Sequence, residues 1–265
     1  MRRVFAILAT MCALSAEALA EESPEADAKA TPPGILDLWR LGELGFIRVD
    51  PTAIAIGAGT TWHEVERHPA IRDKLLPLAQ AAREIGALQI QARGTLGGNV
   101  GTSSPVGDSL PVLLALDASI EVASVRGTRR IPYADYCTGY RKTQLAADEL
   151  IVAAHLPLPG ADTRTTWRKV GTRRAQSISK VMGAAAITLD GGTVVTARVA
   201  LGAVADRPIR IGAVEAIVRG LPLAQAADAA RTALRGVIKP IDDVRSTADY
   251  RRDVAENLVA RFFMS

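Results

Sequence analysis

Residues 91–111, QARGTLGGNVGTSSPVGDSLP, decide how the rest of the chain is interpreted. The stretch carries a Gly97-Gly98-Asn99 turn, several short hydroxyl side chains and one acid, Asp108. Adjacent glycines allow positive φ angles and let a ligand approach the main chain closely. Consecutive amides in such a turn can form a nest for phosphate oxygens, and a carboxylate accepts hydrogen bonds from sugar hydroxyls. These features together predict a site for a nucleotide cofactor.

An ordinary surface loop accounts for the same composition. In that interpretation, Ser104 or Asp108 caps an apolar helix over about residues 109–116, since Ser and Asp side chains accept hydrogen bonds from the free amides at a helix start. The order of the residues, rather than their composition, favours the cofactor site.

The pattern QxxxRGTLGGNxxxxSPxxDxxPxLLALDA at residues 89–118 resembles the FAD-binding (medium) subunits of the molybdenum hydroxylase family. This family includes the flavin subunits of bacterial xanthine dehydrogenases and of carbon monoxide dehydrogenase. The resemblance extends over about residues 35–265, including GAGTTW at 57–62 and ADYRR at 248–252. It implies an oxidoreductase subunit, inactive alone, that binds FAD. Electrons would pass from a molybdopterin-binding subunit through the 2Fe–2S clusters of an iron–sulfur subunit to the FAD. They would then pass to NAD or another acceptor.

The resemblance also implies which residues hold the flavin. They are Thr95, Gly97, Gly98, Asn99, Thr102, Asp108, Ile151 and Lys169. The glycine turn would bring backbone amides to the phosphates and ribityl chain, and Asp108 would bind cofactor hydroxyls. Ile151 would pack on the ring system, and Lys169 would approach it from the second domain. No catalytic residue is implied. Ile151 as plain core and Lys169 as a solvated strand residue remain open alternatives.

One departure from the family is conspicuous. Its members carry an amino-terminal Gly-Gly-Thr-Asp loop, usually within AGGTDL, that wraps the FAD pyrophosphate, and this sequence has no such loop. Each charge-assisted hydrogen bond is worth about 1.5–3 kcal/mol, so we expect weaker FAD affinity and a missing first strand. The alternative function is a non-catalytic remnant that folds and docks but no longer retains FAD. A different nucleotide-binding protein that reuses the loop is a third interpretation.

Length and composition indicate the architecture. A chain of 265 residues with 48% hydrophobic content can form two modest domains. We expect an α+β fold, with a flavin-binding domain of mixed α/β subdomains over residues 34–160. A small C-terminal domain, an antiparallel sheet with helices, should follow over residues 163–265.

The first 33 residues differ in character from the rest. Residues 1–20 combine a basic start, a short apolar run and an Ala18-Leu19-Ala20 site, which is typical of a secretory signal peptide. The apolar run is too short to span a membrane, and residues 21–33 predict a solvated linker. Export follows if the leader is genuine and a cytoplasmic location if it is not. A misassigned start is the alternative origin of this segment.

Charge and cysteine content exclude other classes of function. The net charge is +4, but basic residues are scattered among acids and aromatic residues make up only 4%, so we do not expect nucleic-acid binding. The two cysteines, Cys12 and Cys137, and the three histidines lack the spacing of metal ligands. Any metal chemistry is therefore expected to belong to a partner.

Local patterns place the main elements. Residues 53–57 predict a strand, and Thr60 or Thr61 should cap the helix that follows. Trp62 stands where the third glycine of a dinucleotide fingerprint would be, which argues against a Rossmann turn at Gly57 and Gly59. Further helices are expected within 41–47 and over 71–90, 211–219, 223–235 and 249–263. Further strands are expected at 120–125, 150–156 and 167–170, with a hairpin over 187–201.

Overall fold

Two antiparallel sheets organise the chain, as seen in a computed structural model that describes residues 36–173 and 176–264. Helices pack on both sheets, so the predicted α+β class is confirmed. The predicted signal peptide at 1–20 and the linker at 21–33 lie outside the described residues.

The first sheet has the strand order β1-β2-β7-β3-β4, and each neighbouring pair is antiparallel. Its strands are β1 (Ile47–Val49), β2 (Ala53–Gly57), β3 (Ser119–Ser124), β4 (Gly127–Pro132) and β7 (Leu150–Pro157). Because successive side chains of a strand point to opposite faces, Ile54 and Ile56 enter the core together. The strands predicted at 53–57, 120–125 and 150–156 are confirmed to within about one residue.

Six α-helices of the described chain lie between β2 and β3 in sequence. They are α1 (Trp62–Arg67), α2 (Pro69–Lys74), α3 (Leu76–Glu84), α4 (Leu88–Gln91), α5 (Leu96–Thr102) and α6 (Leu110–Ala115). Thr61 caps α1, as predicted: its hydroxyl accepts from the amide of Glu64, whose carboxylate accepts from the amide of Thr61. This reciprocal capping box satisfies two helix-terminal donors.

The single helix predicted over residues 71–90 is wrong, because the chain there forms the separate helices α2, α3 and α4. Pro77 lies in the first turn of α3, where amide groups have no acceptor within the helix and its missing N–H costs nothing. In the middle of one continuous helix, the same proline would remove a hydrogen bond. Gly86 has φ +56°, which ends the helical path before α4. Leu75 and Leu78 are fully buried, as the apolar period predicts, but Leu88, beyond the Gly86 break, is 68% exposed.

Gly57 and Gly59 allow the backbone of Leu44 to pack closely against the chain at the end of β2. A Cβ at Gly57 would lie 2.2 Å from the carbonyl oxygen of Leu44, and one at Gly59 would lie 3.2 Å from the same atom. Leu44 ends a short 3-10 helix, Gly42–Leu44, in the region predicted as a brief helix. The two glycines therefore let this turn lie directly on the end of β2.

The second sheet has the order β11-β10-β9-β8. Its strands are β8 (Thr163–Val170), β9 (Val181–Asp190), β10 (Thr193–Gly202) and β11 (Ile209–Arg210). The predicted hairpin is confirmed: β9 and β10 join through Gly191 and Gly192, whose φ angles of +52° and +84° suit a tight turn. Between β4 and β7, the chain forms the short helix α7 (Tyr133–Tyr136) and the hairpin β5–β6 (Cys137–Gly139 and Lys142–Thr143).

The two faces of the second sheet contact different partners. Ala184 and Ala186 of β9 join the core of the first sheet, where α6 packs on β9 and β10. Ala185 and Ile187 face the opposite way, toward a second core. That core is closed by α8 (Gly212–Val218), α9 (Leu223–Leu234) and α10 (Ala248–Phe262), which confirm the three predicted helices. The small alanine side chains let α6 lie close to the strands.

A buried arginine ties the first turn of α10 to this sheet. Arg251 is 2% exposed and donates to the carbonyl oxygens of Lys180 at 2.7 Å and Ala203 at 3.2 Å. It also forms an ion pair with Asp243 at 2.7 Å. These contacts join the loops at the ends of β8, β10 and α9 through one guanidinium.

We predict that Arg251→Ala lowers the free energy of unfolding by about 2–4 kcal/mol, because it leaves the carbonyl groups of Lys180 and Ala203 without their guanidinium donor, while Asp243 keeps its ion pair with Arg245. Arg252→Ala is the matched control: its partner Asp249 is largely exposed, and a loss within about 0.5 kcal/mol is expected. Urea unfolding of both variants measures the difference, and equal losses would contradict the assignment.

Candidate functional site

The diglycine lies in a helix, not in the turn that the sequence predicted. Gly97 and Gly98 occupy the first turn of α5, and the hydroxyl of Thr95 accepts from the amide of Gly98 at 3.0 Å. An N-cap of this kind favours helical backbone for the residues that follow it. Positive φ occurs instead at Ser103, +46°, where the helix ends.

The amides of this first turn already have acceptors. Gly97 donates to the carbonyl oxygen of Ala58 at 2.8 Å, Leu96 to that of Thr60, and Asn99 to that of Thr95. Together with the Gly98–Thr95 bond, these contacts occupy the amides that the predicted phosphate nest required. Thr95 and the carbonyl groups of Ala58 and Thr60, in the loop after β2, therefore hold the donors of this turn.

The glycines of α5 have two different roles. A Cβ at Gly97 would lie 2.7 Å from the Cβ of Ala58 and 2.8 Å from its carbonyl oxygen, so the fold itself requires glycine there. Gly98 and Gly101 are exposed, and a Cβ at either position would approach the rest of the chain no closer than 3.3 Å. The fold does not require glycine at these two positions, so their bare backbone leaves an open, flat surface on the helix.

The remaining predicted residues of α5 have defined hydrogen bonds. Asn99 accepts from the hydroxyl of Ser109 at 2.6 Å, which ties the helix to the start of α6. Thr102 is exposed and donates to the carbonyl oxygen of Gly98 at 2.7 Å. Its oxygen keeps the capacity to accept from a ligand.

Ile151 lies beneath this surface. It is 6% exposed, belongs to β7 and pairs in register with Val122 of β3. A Cβ at Gly101 would be 3.5 Å from its Cδ1 atom, so Ile151 packs against the exposed glycine face from below. The structure therefore places Ile151 with α5, as part of the core that supports it.

Asp108 does not cap α6, and neither does Ser104. The N-cap of α6 is Ser109, and no side chain there bonds to the helix amides, so this alternative for the loop is wrong. The carboxylate of Asp108 turns instead toward the second sheet. Its Oδ2 atom lies 2.6 Å from Nζ of Lys169, and its Oδ1 atom accepts from the hydroxyl of Ser179 at 2.5 Å.

This ion pair is almost fully enclosed. The side chains of Lys169 and Asp108 are 4% and 10% exposed, and Lys169 also donates to the carbonyl oxygen of Glu84 at 3.1 Å. The indole of Trp167 donates to the backbone carbonyl of Asp108 at 3.0 Å. Burial raises the pKa of the Asp108 carboxyl, while the Lys169 ammonium and the Ser179 hydroxyl oppose that rise. Lys169 is thus an ion-pair partner in the core, not a solvated strand residue.

The structure brings the eight predicted residues together in two groups. The first is the surface of α5 with Ile151, and the second is the Asp108–Lys169 pair; the loop from Ser103 to Ser109 joins them. Two further residues belong with these groups and were missed. Gly101 was passed over because the resemblance emphasises the diglycine, and Ser179 because a single serine in a polar stretch carries no sequence signal.

The described part of the chain brings together no group of three or more His, Cys, Asp or Glu side chains placed to hold a metal ion. In the same residues, no helix is both long enough and apolar enough to cross a bilayer.

Comparisons with known proteins identify the family of the chain. Residues 23–159 match the family described as the FAD binding domain in molybdopterin dehydrogenase, and residues 167–265 match the CO dehydrogenase flavoprotein C-terminal domain. The nicotinate dehydrogenase FAD-subunit of Eubacterium barkeri is 31% identical over 88% of this chain and 80% of its own length. The glyceraldehyde dehydrogenase medium chain of Sulfolobus acidocaldarius is 32% identical over 88% and 83%.

A solved structure shows the same fold. Carbon monoxide dehydrogenase from Hydrogenophaga pseudoflava superposes with a TM-score of 0.88 at 28% identity, over 97% of this chain and 92% of that one. With both family matches and relatives above 30% identity, the chain belongs to the FAD-binding medium subunits of the molybdenum hydroxylase family.

Proposed function

We propose that this chain binds FAD against the exposed glycine surface of α5 and the Asp108 carboxylate. The observation that carries the proposal is the open backbone at Gly98 and Gly101, which the fold itself does not require. A flat cofactor can approach such a surface more closely than it could any surface with side chains. A fixed carboxylate from the next loop then supplies a strong acceptor for cofactor hydroxyls.

The protein's contribution is to hold and orient the cofactor, and FAD when bound supplies the redox chemistry. Thr95 caps α5, Gly97 ties it to Ala58 in the loop after β2, and Asn99 ties it to the start of α6. Thr102 offers an exposed hydroxyl on the same surface. Asp108 has about four acceptor positions on its two oxygens, and Lys169 and Ser179 occupy two of them.

We further propose that the chain works inside a multi-subunit oxidoreductase. An iron–sulfur subunit would deliver electrons to the FAD of this chain, and NAD or another acceptor would remove them. A molybdopterin-binding subunit would carry out the substrate chemistry. This proposal is supported by the names of the relatives, which are FAD subunits and medium chains of dehydrogenases.

The direct test is a titration of the purified, full-length chain with FAD, followed by flavin fluorescence and visible absorbance. Saturable binding that raises the melting temperature is expected, because a ligand that binds only the folded state stabilises it. A folded chain that takes up no FAD would instead support the remnant that docks without the cofactor.

Substitution of the exposed glycines should separate binding from folding. Gly98→Ala and Gly101→Ala each add a methyl group to the proposed contact surface, and we expect about a tenfold or greater loss of FAD affinity. Because alanine favours helix, the free energy of unfolding should stay equal or rise by up to about 1 kcal/mol. Gly212→Ala, at the open first position of α8, is the matched control and should leave FAD affinity unchanged.

The Asp108 carboxylate provides an independent check. Asp108→Asn should weaken FAD binding and also destabilise the fold by about 3–5 kcal/mol, because it leaves the buried Lys169 ammonium without its counter-charge. Adding Lys169→Met should restore much of the stability and none of the FAD affinity lost with Asp108. Calorimetric titration and urea unfolding measure the two effects, and full FAD affinity in Asp108→Asn would remove this residue from the site.

A further inference from the structure

Ser179 is a buried hydroxyl that the proposed function does not yet use. It is 0% exposed and lies just before β9, and its Oγ atom donates to Oδ1 of Asp108 at 2.5 Å. The next residue, Lys180, is fixed at both backbone groups: its amide donates to the carbonyl of Val170 at 2.8 Å, and its carbonyl accepts from Arg251. The backbone that presents Ser179 is therefore held firmly in place.

The two donors to Asp108 reach different oxygens. Lys169 bonds to Oδ2 and Ser179 to Oδ1, so the carboxylate is held at both ends. With one donor alone, it could turn about its terminal torsion, which is broad and nearly two-fold for aspartate. Two separate donors therefore fix the plane of the carboxylate and the direction of its remaining lone pairs.

A hydroxyl is suited to this task. A second buried ammonium or guanidinium at this point would leave a net positive charge in the core, where unpaired charge is very unfavourable. A neutral donor satisfies Oδ1 without changing the charge of the pair. It also favours the ionised form of a carboxyl whose pKa is raised by burial.

We propose that Ser179 is a positioning residue for the cofactor, which acts by setting the orientation of Asp108. This inference rests on the proposed function, since it assumes that Asp108 accepts hydrogen bonds from FAD. Ser179 itself need not touch the ligand. Its contribution is to keep the acceptor lone pairs of Asp108 directed at the site in the ligand-free protein, which reduces the ordering needed when FAD binds.

The test measures FAD affinity in Ser179→Ala, Ser179→Thr and the matched control Ser177→Ala. Ser177 lies in the same loop, and its exposed hydroxyl donates to the carbonyl of Arg173 instead of to Asp108. We expect the dissociation constant for FAD to be about tenfold larger in Ser179→Ala, as for the loss of one hydrogen bond to a charged group. Thr, which keeps the hydroxyl, should restore affinity, and Ser177→Ala should match the wild-type chain.

A double-mutant cycle separates positioning from general stability. If Ser179 acts through the carboxylate, Ser179→Ala should cause no further loss of FAD affinity in an Asp108→Ala, Lys169→Met background, which has no carboxylate oxygen for Ser179 to hold and no unpaired ammonium. Equal losses in both backgrounds would overturn the proposal, as would wild-type affinity in Ser179→Ala. Should Ser179→Ala fail to fold, Ser179→Cys, with its weaker donor, must show an intermediate loss, and wild-type affinity in that variant would also overturn it.

The two proposals fail in different ways. A wild-type chain that folds and takes up no FAD overturns the proposed function and the role of Ser179 with it. A wild-type chain that binds FAD, with Ser179→Ala binding it equally well, overturns the role of Ser179 alone.

Discussion

A buried ion pair between Asp108 and Lys169 joins the loop between α5 and α6 to the second sheet at the candidate site. Asp108 belongs to the loop between α5 and α6, and Lys169 comes from β8 of the second sheet. Trp167, two residues earlier on the same strand, holds the backbone carbonyl of Asp108. Buried pairs of this kind are often no more stabilising than apolar residues of similar volume. Its presence here therefore fits a role in fixing a binding group better than a role in folding.

The glycines of α5 show how folding and binding are divided within one short helix. Gly97 faces inward, where the close approach of Ala58 leaves no room for a side chain. Gly98 and Gly101 face outward, where the fold would accept alanine. Alanine is favoured over glycine inside a helix by about 1 kcal/mol. Two exposed glycines that the fold does not require therefore lower the stability of the helix. Contact with a ligand at this surface can explain why glycine is present there.

Sequence patterns predicted the elements whose causes are local. The capping of α1 by Thr61 and the turn at Gly191-Gly192 each depend on residues a few positions apart, and both are confirmed. The backbone of the diglycine could not be predicted, because glycine permits both turn and helix and the choice depends on Thr95 and on distant Ala58. The role of Ser179 could not be predicted from the sequence either, because its partner Asp108 lies 71 residues away.

Hydrogen–deuterium exchange with and without FAD tests most directly whether FAD binds where the Asp108–Lys169 pair joins the loop between α5 and α6 to the second sheet. Exchange should slow together in the segment that carries Gly101 and Asp108 and in the segment that carries Lys169 and Ser179, since the ion pair couples them. Bound FAD that protects the first segment and leaves the second unchanged, or that protects neither, would contradict the claim.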